Sequence, residues 1–132
     1  IRAASTADTF KAALYLASAT VNASTTAYSA TGEVTGTGYS AGGVTVTNAT
    51  PPASTNTSST AGTAYWTPSA SIVYTTVTLT TAFDAVLIYN SSQSNKAVSV
   101  HTFGSQTITA GTFTLTMPSN TTSTALLRLA TT

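Results

Sequence analysis

The chain has 132 residues, of which 42% are hydrophobic, so it is one domain by length and rich enough in apolar side chains to fold around its own core. Charged residues make up 5% of it, against a usual level of about 25%, and four basic and three acidic side chains leave a net charge of +1. So few cations exclude nucleic-acid binding by phosphate neutralisation, and the absence of cysteine excludes disulfides and thiolate metal sites.

The opening IRAASTADTF carries no apolar core of a signal peptide and no initiator Met, which suggests trimming or a longer parent chain. No apolar run approaches the roughly 20 residues of a spanning helix, so no membrane partner is expected. From Phe10 to Leu16 apolar residues alternate as in a strand. Asp8 offers a helix cap to the same stretch, but the β character of everything downstream favours the strand. Residues 17–28 are a small-residue connection. In Gly32 to Asn48, GEVTGTGYSAGGVTVTN, the glycines mark turns or bulges, and Val44 and Val46 begin another alternating strand. Two prolines and few apolar residues make 50–64 a mobile surface loop.

Ile72 to Thr80 is β-branched and aromatic, and reads as a strand. Ala85 to Tyr89 is a continuous apolar run, as in a strand covered on both faces. A polar loop from Asn90 to Lys96 follows. Ala97 to Phe103 then returns as the second arm of a central hairpin, with Val98 and Val100 on one face and Ser99, His101 and Phe103 on the other. In Ile108 to Met117, Phe113, Leu115 and Met117 face inward, and Pro118 ends the strand. Leu126 to Leu129 pairs with an earlier strand. The sum is an all-β, single-domain antiparallel sandwich or barrel over 1–132, Ig-like or jelly-roll-like, with about seven or eight strands.

Few constellations carry chemistry. Gly38-Tyr39-Ser40-Ala41-Gly42 matches the G-x-S-x-G nucleophile elbow, and Asp84 and His101 follow in the order of a hydrolase triad. That elbow needs a helix after the serine, whereas Gly43-Val44-Thr45-Val46 is strand-forming, so the match reads as a turn and no catalytic residue is assigned. The spacing departs from G-x-G-x-x-G, and no Lys-Ser/Thr follows to make a phosphate cradle. Glu33 and Asp84 could in principle supply the two carboxylates of glycoside hydrolysis, and nothing in their contexts supports it. His101, Asp8, Glu33 and Asp84 are scattered along the chain, so no metal or cofactor is expected. The five N-x-S/T sequons, at Asn22, Asn48, Asn56, Asn90 and Asn120, read as accidents of a Ser- and Thr-rich composition. Tyr65 and Trp66 form either an exposed sugar-stacking or interface patch, which Tyr39 joins, or, for Trp66, part of a sandwich core.

Several stretches resemble a family of small structural proteins of tailed double-stranded DNA bacteriophages. They are the Phe10-Lys11-Ala12-Ala13-Leu14-Tyr15 strand, Tyr28 followed by Gly32-Glu33-Val34, the Gly38-Tyr39 turn closing on Gly42-Gly43, Ile88-Tyr89-Asn90 with Asn95-Lys96-Ala97, and the closing Leu127-Arg128-Leu129-Ala130. The likeness runs over most of the chain and is weakest over 50–65. It implies a capsid decoration or cement protein located in the virion, assembled in the bacterial cytoplasm, with the major capsid protein and copies of itself as partners. It carries over no catalytic residue. A tail, fibre or head-spike module that recognises a host surface glycan through Tyr65 and Trp66 is the alternative.

Overall fold

The computed structural model describes residues 8–48, 51–55 and 61–131. The described residues are all-β, with seven strands in two antiparallel sheets, a sandwich-like arrangement. The strands are β1 (Phe10–Leu16), β2 (Val44–Val46), β3 (Ala53–Ser54), β4 (Thr63–Trp66), β5 (Ile72–Asn90), β6 (Lys96–Leu115) and β7 (Leu127–Ala130). The larger sheet runs β2-β1-β5-β6 and the smaller β3-β4-β7.

β1 sits inside the larger sheet, with Phe10 opposite Asn90 on one side and Val46 on the other. A central position demands apolar residues on both faces, and FKAALYL supplies them. Phe10, Ala12 and Leu14 enter the main core with Val86 and Ile88. Ala13 and Tyr15 enter a second cluster with Ala85, Leu87 and Tyr89, covered by Ala19, Val21 and Tyr28 of the connection after β1. The apolar run of β5 is thus buried on both faces, as its continuity predicts.

Four predicted strands are two. Ile72 to Thr80 and Ala85 to Tyr89 belong to one 19-residue strand, and Ala97 to Phe103 and Ile108 to Leu115 to one 20-residue strand. Their pairing shifts register repeatedly between Tyr74 and Ala85, with Thr76 and Ala110 in the left-handed region at φ 50° and 48°. Such bulges bend a strand. The Ile72 half therefore folds over the Phe83 half, and Ile72, Tyr74, Val77 and Leu79 join the same core as Phe10 and Phe83. In the sequence, Thr81-Ala82-Phe83-Asp84 in β5 and the polar Gly104-Ser105-Gln106-Thr107 in β6 leave gaps between the predicted strands.

A further bulge falls where Ile88 opposes Ser99 and Tyr89 opposes Ala97. It moves Val98 to the main-core side while Val100 stays with the Leu87 cluster, so these two valines do not share a face as their spacing predicts. Alternation survives in Phe113, Leu115 and Met117, all packed on the main core. The expected 50–64 loop is shorter than its composition indicates. β3 and β4 pair within it, Ala53 opposite Tyr65, and 56–60, where mobility is expected, lie outside the described residues.

Candidate functional site

Two places gather the side chains that the sequence singles out. The first is built on Glu33, which is 7% exposed in the Gly-rich segment, beside β1. Its carboxylate accepts the Tyr28 hydroxyl at 2.6 Å, the Tyr39 hydroxyl at 2.7 Å and the Gly42 N–H at 2.8 Å. Tyr39 in turn accepts the Leu14 N–H at 3.0 Å, and Tyr89 donates to the Gly42 carbonyl at 2.8 Å. A buried carboxylate is tolerable only with such a complete set of donors. Burial and the bond to Glu33 push the Tyr39 hydroxyl far above its ordinary pKa, and burial followed by the field of Glu33 does the same to Tyr74.

This constellation ties the Gly-rich segment to the sheet. Each tyrosine hydroxyl is engaged with protein, and Tyr39 stacks on Tyr74 at 5.9 Å, so the arrangement is a structural lock. The pairing of Glu33 with tyrosines was hidden in the sequence, where Tyr28 and Tyr39 flank it at unremarkable spacing. Ser40 lies in a turn closed by Gly43 N–H to Ser40 C=O at 2.9 Å and leads into β2. No helix follows it, which removes the geometry a nucleophile elbow needs. His101 bonds Ser99 at 3.0 Å within β6, and burial lowers its pKa. Among the described residues, no three metal-ligating side chains cluster.

The second place is the β4–β7 pair. Trp66, at 2% exposure, is core: its ring meets Phe10 at 5.4 Å and its indole N–H bonds Asn48 at 2.8 Å. This corrects the exposed-patch reading for Trp66, because the face of β4 that carries it turns inward onto β1. Tyr39 is held by Glu33 and Tyr74. Tyr65, half-buried as Tyr39 is, lies on the outer face opposite Arg128.

Strand alternation then gives the small sheet an unusual inner face. Trp66 opposes Leu127, and Ala64 opposes Leu129, so all four share it. Trp66 and Leu127 cover the core, but the sheet runs on past the core's edge and leaves Leu129 73% exposed. With Pro52 and Ala64, Leu129 lines an open cavity of about 250 Å³. Leu129 and Val73 are the exposed large apolar side chains among the described residues. The closing Leu-Arg-Leu-Ala was legible as a strand, but the overhang depends on where the core ends. No protein-family model, curated protein or solved structure matches the chain.

Proposed function

We propose that the chain is a non-enzymatic structural protein of a tailed-phage virion, a decoration or cement subunit that binds the assembled head and stabilises it. Its partners are the major capsid protein and copies of itself. The observation that carries the proposal is Leu129, an inner-face residue left uncovered on an edge strand of a domain with almost no charge. An apolar side chain in that position supports docking on another protein surface. A weakly charged exterior adds little electrostatic repulsion to crowded packing on a shell. Stabilisation follows by mass action, since a subunit that binds only the assembled state favours that state.

Quantitative mass spectrometry of purified particles tests this. Hundreds of copies in fixed ratio to the major capsid protein are expected. A handful of copies, or none, overturns the decoration reading, and a handful moves the protein to the tail or a vertex. Of the Tyr65 and Trp66 pair, the glycan-binding alternative keeps Tyr65, since Trp66 is buried. Its discriminating variant on a glycan array is Tyr65→Ala.

A further inference from the structure

An open groove of about 600 Å³ runs beside β6. Val21 and Ala23 form one wall, and Val98, Ser99, Val100 and Thr102 the other. The bulge puts Val98 and Val100 on opposite faces of the sheet, so a groove touching both, with Ser99 between them, meets the strand edge-on.

Among the described residues β6 is the last strand of its sheet, with β5 as its one neighbouring strand. On the other side, its start is held by the segment after the groove wall. Ala97 donates to the Thr26 carbonyl at 2.9 Å, and Tyr28 donates to the Asn95 carbonyl at 2.9 Å. Beyond Ala97 that neighbour turns away. Residues 22–25 close on themselves, with Asn22 Oδ1 accepting the Ser24 N–H at 2.8 Å and Asn22 C=O accepting the Thr25 N–H at 3.0 Å. The backbone from Val98 to Thr102 therefore faces the groove with no further backbone partner among the described residues.

Sheet edges are commonly protected by lysines, prolines, other charges or bulges; the bulge here sits at Val98, and Ser99 to Thr102 beyond it pair with β5 in regular register. After Lys96, the rest of β6 reads AVSVHTFGSQTITAGTFTL, without Lys, Arg, Asp, Glu or Pro. We propose that this groove receives an extended, uncharged strand of another polypeptide, which adds to the edge of β6 along Val98 to Thr102. Only a second backbone in β conformation matches a row of unpaired N–H and C=O groups. Five residues at about 3.3 Å each set its length at roughly five residues. The walls hold no charged side chain, so a charged occupant loses hydration with nothing in return. Val21 and Ala23 leave space for small apolar side chains at alternate positions. The proposal stands whether or not the chain belongs to a virion.

Titration of the isotope-labelled 132-residue chain with the blocked peptide Thr-Val-Thr-Val-Thr, followed by NMR, tests it. Saturable shifts and slowed amide exchange are expected at Val98 to Thr102 and Val21 to Thr25. Thr102 is exposed on the rim, so Thr102→Lys is expected to weaken binding about tenfold with the melting temperature unchanged. Thr112→Lys, exposed on β6 outside the groove, is expected to bind like the parent. The proposal is overturned if no saturable shift maps to the groove, or if Thr102→Lys binds equally well. Equal binding by a peptide with Asp at its centre overturns it too, as does self-association that already protects these amides without peptide.

Discussion

Phe103 and Phe113 belong to the same strand, ten positions apart, yet their ring centroids lie 5.3 Å from each other. A straight strand of that length separates its ends by about 33 Å. The two rings meet because β6 doubles over at its bulges, and Phe83 stands edge-on to both, at 6.0 Å and 5.2 Å. This aromatic cluster fastens the two halves of the bent hairpin into one core.

Phe113→Ala should therefore cost more than its partial exposure suggests, since it unfastens the bend as well as removing a ring. About 3 kcal/mol is expected in urea unfolding, at the low end for buried phenylalanines. Thr112→Ala, one position away and exposed, should stay within about 0.5 kcal/mol. Equal effects would mean that the ring cluster does not hold the bend.

Tyr39 and Tyr74 predict an alkaline limit. Their folded pKa values are raised above the unfolded value of about 10, so above pH 10 the unfolded chain releases protons that the folded chain keeps. Stability is then fully present below pH 10 and falls as pH rises beyond it. Each such group contributes a slope of up to about 1.4 kcal/mol per pH unit. Tyrosine absorbance should report ionisation of these residues only together with unfolding. Tyr39→Phe should make the pH dependence shallower.

Removing an acceptor from the Glu33 constellation should be costly. Glu33→Gln turns one of the two carboxylate oxygens into a donor, facing either the Tyr28 hydroxyl or the Tyr39 hydroxyl with the Gly42 N–H, and about 2 kcal/mol is expected in chemical denaturation. Glu33→Ala should cost more, because it leaves all three donors unpaired. A neutral Glu33→Ala would show that water replaces the carboxylate freely.

Gly43 has φ +73°, and a Cβ built there collides with the Ala12 carbonyl of β1. Gly43→Ala forces β2 away from β1, and a loss of about 2 to 4 kcal/mol follows from strain and overpacking. Gly104 has open space around it, so Gly104→Ala should be close to neutral. Thermal melts of the pair separate a required glycine from an incidental one.

Leu129 links stability to docking. At 73% exposure, Leu129→Glu should change the melting temperature little, while lowering occupancy on purified particles if the overhang is the docking face. Unchanged occupancy would move the docking face elsewhere on the domain.

The sequence by itself determined the β character of the chain, the strand at Phe10 to Leu16, the burial of Ala85 to Tyr89 on both faces and the hairpin at Asn90 to Lys96. These follow from local periodicity, β-branched content and turn chemistry, which act between residues close in the chain. Only the tertiary structure decided that four predicted strands are two bent ones, because a bulge and a loop leave the same gap in the strand pattern. It also decided that Trp66 is core while Leu129, on the same inner face, is not: alternation says which residues share a face, but how far the core extends beneath that face depends on the packing of β1 and the bent hairpin. The Glu33 network and the groove along β6 arise in the same way, from groups far apart in sequence that the sheet order brings together.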